Sequence, residues 1–264
     1  MSMKAEVKPR VFLDTSVQIT RVLGTVAKRQ RIDHVLANEI VACTTAYVYM
    51  EYQRTLVADF AHVHRVLQQQ GNWGDAIAEV ASGARLFRPR ALVRVNRILG
   101  ETLNRSHLDV EKGLLLLSTY LEYRLQTLFW QYVTPVDDTI GCDLLTTGVL
   151  RQPDESYQVA ATCRKETAAC QLPAFLYEQR AKLQAITAYL AVHPNVIKDQ
   201  LRVEQLLRSV QQEPRNALGQ TSCWSLGDVI ILLHVPSDCM VWSLDPDFAP
   251  LATALGLHLY SPTL

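Results

Sequence analysis

Apolar and polar positions follow two different rhythms along this chain. Near the start, Val11-Phe12-Leu13 is a continuous apolar run that stops at Asp14-Thr15-Ser16. A short apolar run bounded by polar groups reads as a buried strand, so a strand is expected over 10–13, ending on Asp14. A helix is expected to start near 17–23, with the Thr15 and Ser16 hydroxyls as caps. Another helix follows over 32–38, and a second strand over 40–44 (Ile-Val-Ala-Cys-Thr). Thr45 then precedes a helical pattern over 46–58, which puts Glu51 and Arg54 at i and i+3, within reach of each other.

From about Phe60 to Pro214 the rhythm changes. Strand signals nearly vanish, and Leu, Ala, Gln and Arg, all good helix formers, dominate. Helices are expected over 60–70, 74–82, 90–104, 107–133, 155–169, 174–192 and 199–212, with Gly71, Pro89, Pro135, Pro153, Pro173 and Pro194 as breakers between several of them. Alternation of strands and helices resumes after Pro214. Ser225-Leu226-Gly227-Asp228 opens a helix over 229–234, and a strand is expected over 240–244. Asp245-Pro246 then starts a helix ending before Gly256, and 257–260 reads as a last strand. Strands alternating with helices favour a parallel sheet. The two ends therefore read as one discontinuous α/β domain, 1–60 plus 215–264, interrupted by an inserted helical subdomain over 61–214.

Composition narrows the picture only slightly. At 48% hydrophobic residues, the 264-residue chain can bury a sizeable core. The formal net charge is zero, so binding to nucleic acid has to come from a local basic patch. The charged start of the chain lacks the apolar run of a signal peptide. The apolar stretch over 113–133 is interrupted by Glu122, Arg124 and Gln126, which suits a buried or amphipathic helix better than a membrane span. Six cysteines, Cys43, Cys142, Cys163, Cys170, Cys223 and Cys239, include no Cys-x-x-Cys pair, and a reducing cytoplasm with free thiols is the expectation.

Four carboxylates stand out by position. Asp14 and Asp245 fall where strands end, and sites in open α/β sheets form beyond the carboxyl ends of strands. Glu51 and Asp228 lie on helices flanking those strands. Each also has a plain structural reading. Asp245 before Pro246 is a good N-cap, Asp228 three residues after Ser225 fits a capping pattern, Glu51 can pair with Arg54, and Asp14 can cap the next helix. If the four meet, their repulsion calls for a divalent cation, and hard oxygen ligands suit Mg²⁺ or Mn²⁺.

Order and surroundings give these residues a further meaning. Val11-Phe12-Leu13-Asp14-Thr15-Ser16 comes first, followed by Thr45, then Glu51 with Arg54. Leu226-Gly227-Asp228-Val229-Ile230 follows, and then Val241-Trp242-Ser243-Leu244-Asp245-Pro246-Asp247-Phe248 before Leu255-Gly256-Leu257-His258-Leu259-Tyr260. This succession resembles the PIN-domain family of nucleases, over about residues 8–60 and 215–264. The resemblance implies a PIN-like parallel sheet flanked by helices, interrupted here by a large all-α insertion. It implies Asp14, Glu51, Asp228 and Asp245 as ligands of one or two Mg²⁺ or Mn²⁺ ions, with Asp247 as a peripheral ligand. Thr15, Thr45 and Ser243 would stand behind them, orienting ligands or water. The implied activity is a metal-dependent endoribonuclease, toxin-like in character, in which a metal-activated water cleaves RNA phosphodiester bonds. The implied partners are nucleic acid, RNA first, together with an antitoxin-like protein inhibitor and a homo-oligomeric copy; no membrane partner is expected.

Substrate contact has one concentrated candidate. Arg85, Arg88, Arg90, Arg94 and Arg97 occur with no acidic residue between them, and Arg90, Arg94 and Arg97 share a helical face. The plain alternative is a solvated face paired with nearby acids. His62 and His64, at i and i+2 on a helix, point to different sides. A zinc site from Cys142, Cys163, Cys170 and Cys223 has irregular spacing. Other readings stay open: a non-catalytic RNA-binding or scaffolding protein on the same fold, and a DNA-directed nuclease. A haloacid-dehalogenase-like phosphatase needs a second Asp where Ser16 stands.

Overall fold

Three consecutive apolar residues leave β1 (Arg10–Leu13) no face for solvent, so both sides have to be covered. Val11 and Leu13 enter one apolar cluster with Val17, Ile32, Val35 and Trp242. Phe12 points the other way, as the two-residue period of a strand requires, into a second and larger cluster. The computed structural model describes residues 8–83, 89–137, 140, 148–159 and 170–264.

After β1 come α1 (Thr15–Leu23), α2 (Val26–Asn38) and β2 (Val41–Thr45). α3 (Ala46–Tyr52) follows at once, and a π-helical turn over Gln53–Val57 carries it into α4 (Ala58–Gln70). Next are α5 (Trp73–Ser82), α6 (Pro89–Ser106), α7 (Val110–Thr119), a second π turn over Tyr120–Arg124, α8 (Leu125–Trp130) and β3 (Val133–Val136). β4 (Val149–Arg151) and β5 (Tyr157–Val159) form an antiparallel pair. They precede α9 (Leu172–Glu178), α10 (Arg180–Val192) and α11 (Gln200–Gln212). A 3-10 turn over Pro214–Ala217, α12 (Gln220–Ser225), α13 (Gly227–Leu233), β6 (Met240–Trp242) and α14 (Phe248–Ala254) complete the series.

The main sheet is parallel, in the order β3-β2-β1-β6. The chain therefore steps to one side of β1 to make β2 and returns on the other side as β6. That reversal opens a crevice at the carboxyl end of β1. The α/β class with a parallel sheet and a long helical stretch between strands is as the sequence predicts. The strand expected over 257–260 reduces to a single parallel bridge, Val241 to Leu259, with Tyr260 N–H donating to the Val241 carbonyl at 2.7 Å.

One expectation needs correction. The interval 61–214 is not all helical, because it supplies β3, the edge of the main sheet, as well as β4 and β5. The helix expected over 107–133 ends at Trp130, Tyr132 turns with a positive φ of 69°, and β3 pairs with β2. Pro135 had read as a breaker. It is tolerated because an edge strand has no neighbour on one side to demand its missing N–H. β5 replaces the start of the helix expected over 155–169, whose remainder, 160–169, lies outside the described residues.

The interval also shares its core with the two ends. Phe12, Tyr47 and Val229 belong to the same apolar cluster as Leu67, Ile98, Leu117, Ile186 and Leu207. In the long helix, Leu117, Leu121, Leu125 and Phe129 are buried at four-residue spacing. Such a stripe drifts around a 3.6-residue helix, and the wider π turn over Tyr120–Arg124 absorbs the drift. The helix is amphipathic, with Leu115 and Tyr123 exposed, and among the described residues no helix is long and apolar enough to cross a membrane. Its C-terminal carbonyls are answered from α1. Buried Gln18 donates to the Phe129 carbonyl at 3.1 Å, and Arg21 donates to those of Leu128 and Gln131.

Phe129 is the joint of this arrangement, fully buried, with ring centroids 4.8 Å from Tyr49 and 4.9 Å from Tyr52 on α3. Phe129→Ala is expected to cost about 3–5 kcal/mol. Urea unfolding followed by tryptophan fluorescence and by far-UV circular dichroism should give coincident curves. Two separated transitions would show that the interval unfolds apart from the sheet.

Candidate functional site

Each acidic residue arrives in the crevice by a different local device. Asp14 directly follows β1, its N–H donating to the Trp242 carbonyl of β6 at 3.0 Å, and it caps α1 through Ser16 N–H. Thr45 ends β2 and caps α3 by accepting from Val48 N–H, which fixes the helix carrying Glu51. Glu51 lies one residue before the end of α3, beside the first π turn, and such turns are frequent at functional sites. Asp228 sits in the first turn of α13.

Asp245 and Asp247 follow β6 in a tight turn. Asp247 N–H donates to Asp245 Oδ1 at 3.2 Å, so the helix begins at Phe248 rather than at Pro246, and Asp245 is not its N-cap. The capping pattern read at Ser225 is also not formed, since its hydroxyl donates to the Thr221 carbonyl within α12.

A net of hydroxyls ties the strand ends together. Asp14 Oδ2 accepts from Ser16 N–H (3.1 Å), Ser16 Oγ (2.5 Å) and Ser243 Oγ (2.9 Å), which leaves Oδ1 free of hydrogen bonds among the described residues. Ser243 Oγ also accepts from Asp245 N–H at 3.0 Å, and Ser16 Oγ accepts from Leu244 N–H at 2.8 Å. Thr15 Oγ1 donates to Glu51 Oε2 at 2.7 Å. Thr15 and Ser243 thus touch the acids directly, whereas Thr45 acts through helix capping.

Charge is divided unevenly over the cluster. Glu51 Oε1 accepts from Arg54 at 3.3 Å, and the Arg54 guanidinium lies 4.7 Å from the centroid of the Trp224 ring. Asp245 Oδ2 is held by Arg90 at 2.6 Å. Among the described residues, Asp14 and Asp228 have no such counter-ion. Burial, then the charge of Glu51, raises the Asp14 carboxyl to about 6, despite the opposing hydrogen bonds from Ser16 and Ser243. Asp228 is raised well above the usual carboxylate range by burial and by Glu51, Asp14, Asp245 and Asp247, all acting in the same direction. Among the described residues no three acidic, histidine or cysteine side chains already close around an ion. The donors are nevertheless all hard oxygens, and among the described residues Asp14 Oδ1 and Asp228 meet no counter-charge, which fits a divalent cation of the Mg²⁺ or Mn²⁺ type.

The basic patch is brought to the site only in part. Arg90 reaches Asp245, but Arg94 pairs with the buried Asp59 at 2.5 Å and Arg97 with Glu101 at 3.5 Å. Arg85 and Arg88 lie outside the described residues, as do Cys142 and Cys163. Cys170 and Cys223 line a small apolar cavity with Tyr47 and Trp224. His62 and His64 do face apart, toward Arg65 and Ser118 respectively. Sequence reasoning missed the bridging role of Ser16, although it stands in the Asp-Thr-Ser motif. It also missed Trp224, whose stacking on Arg54 has no local signature. Compared with known protein families, curated proteins and solved structures, the chain matches none.

The Asp14 shift has a thermodynamic consequence in the absence of divalent cations. A carboxyl whose folded-state value is raised holds its proton more tightly in the folded than in the unfolded chain. Its contribution to stability is complete below the ordinary value of 3.8 and is lost as pH rises through about 6. The loss amounts to about 3 kcal/mol at full titration. Urea denaturation at pH 4 and pH 7 should therefore show a smaller pH-dependent loss in Asp14→Asn than in the unaltered protein. An identical pH dependence in both would show that Asp14 titrates normally.

Proposed function

We propose that this protein is a Mg²⁺- or Mn²⁺-dependent nuclease that hydrolyses phosphodiester bonds, with RNA as the preferred substrate. The observation that carries the reading is the gathering of Asp14, Glu51, Asp228 and Asp245 at the strand-order reversal, with Asp14 and Asp228 lacking a counter-ion among the described residues. The resemblance of the surrounding motifs to PIN-domain nucleases supports it independently.

In this reading Asp14 and Asp228 would hold the cation, and Glu51, Asp245 and Asp247 would complete or flank its shell. A bound divalent cation would supply the missing positive charge and acidify a water for in-line attack on phosphorus. The protein's own contribution is orientation. Ser16 and Ser243 fix the Asp14 carboxylate through Oδ2, and Thr15 with Arg54 fixes Glu51 from both oxygens. Ligands held in this way lose little freedom when the ion arrives.

A second reading is favoured by one observation. Glu51 and Asp245 are each neutralised by an arginine, and among the described residues no three side chains yet close around an ion. A non-catalytic RNA-binding protein on the same fold fits that state. DNA is the alternative substrate of the first reading.

Incubation of a mixed RNA pool and single-stranded DNA with Mn²⁺ separates the three. The nuclease reading expects RNA cleavage that chelation stops and that Asp14→Asn lowers by at least roughly 100-fold, with the fold retained by circular dichroism. Equal cleavage by folded Asp14→Asn would remove Asp14 from the mechanism. RNA binding without cleavage would favour the second reading, and cleavage confined to DNA would reassign the substrate.

A further inference from the structure

Among the described residues two arginines answer the four carboxylates, and they are held in different ways. Arg54 belongs to the same helical stretch as Glu51, is almost buried, and is clamped beneath Trp224. Arg90 comes from the first turn of α6, 155 residues from its partner in sequence. Its side chain is 63% exposed, and among the described residues it donates a hydrogen bond to Asp245 Oδ2 alone. Asp247 and Asp228 also lie within electrostatic reach of its guanidinium. A second contact from the same interval falls on the same turn, where Lys198 N–H donates to Asp247 Oδ1 at 3.2 Å.

We propose that Arg90 is a built-in competitor for the divalent cation: guanidinium and ion claim the same Asp245 carboxylate, so cation binding and the docking of α6 onto the site oppose each other. This inference rests on the metal-centre reading given above. An arginine cannot shed its charge, so Asp245 is released only when the side chain moves away. An exposed ion pair is weak, because a long side chain must be held still and solvent screens it. A divalent ion carries twice the charge and has no tether to immobilise, and so it displaces the guanidinium. The coupling is reciprocal, since whatever draws Arg90 away from Asp245 also tightens cation binding. A phosphodiester is such an agent, because a freed guanidinium offers it two parallel N–H donors. In this arrangement the substrate would help to load the ion that cleaves it.

Mn²⁺ titration by isothermal calorimetry, at pH 7 and without nucleic acid, tests the competition. Four proteins are compared: the unaltered chain, Arg90→Gln, Arg90→Lys, and Arg151→Gln. The last removes one positive charge from the β4 pair with Glu122 and Glu155, away from the site. Arg90→Gln is expected to bind Mn²⁺ roughly 5-fold more tightly than the unaltered chain. Arg90→Lys should fall between the two, and Arg151→Gln should match the unaltered chain. Raising the salt concentration should narrow the gap, since the competing pair is exposed. Binding that is equal or weaker in Arg90→Gln, while the unaltered chain binds, overturns the competition and leaves the metal centre standing. No Mn²⁺ binding by any of the four overturns both.

Discussion

Mutual repulsion of like charges in one crevice is the constraint around which the rest of this structure is arranged. Carboxylates left to themselves would swing apart into water, and the fold prevents this by anchoring each one to a different rigid element. Asp14 is pinned between β1 and β6, Glu51 is held on a capped helix, Asp228 opens a buried helix, and Asp245 is locked in a turn. Hydroxyls rather than cations do most of the pinning at Asp14, which keeps the site negative. A site that spends fold stability to keep its charges together is poised for a ligand that brings the opposite charge.

The long interval between the two ends is tied into this frame. Its edge strand β3 extends the sheet, and its side chains fill the same core as Phe12 and Tyr47. Gln18 and Arg21 of α1 satisfy the open carbonyls of α8, so the helix that Asp14 caps also braces the middle of the interval. Polar groups buried with their partners in this way resist sliding as much as separation. A shift of the interval would therefore be felt along α1 and at the strand end where Asp14 sits.

How much of this was legible in the sequence depended on the range over which each signal acts. β1, β2 and β6 were legible because an apolar run that stops at a polar residue is a local pattern, and Asp14 was marked by lying at such a stop. β3 was not, because Val133-Thr134-Pro135-Val136 follows a long helix after only Gln131 and Tyr132, with no breaker between, and contains a residue that argues against strands. The helical face of Arg90, Arg94 and Arg97 was also legible, but its pairing was not. Asp59, Asp245 and Glu101 divide the three arginines among them, and two of these partners come from distant parts of the chain. Ser16 lay in plain sight. Its value comes from Ser243 and Leu244 arriving opposite, which no local rule foretells.

The pairing of Val11 with Met240 has a consequence for how the protein is made. At synthesis rates of about 5–20 residues per second, roughly 10–50 s pass between translation of the first strand and of its neighbour. During that time Asp14 has neither Ser243 nor the Trp242 carbonyl to hold it, and Asp228 and Asp245 do not yet exist for much of it. The ribosome thus makes the long helical interval before the acidic centre can close. Whatever the site binds, the assembled centre can bind it only once Asp245 and the strand before it have been made.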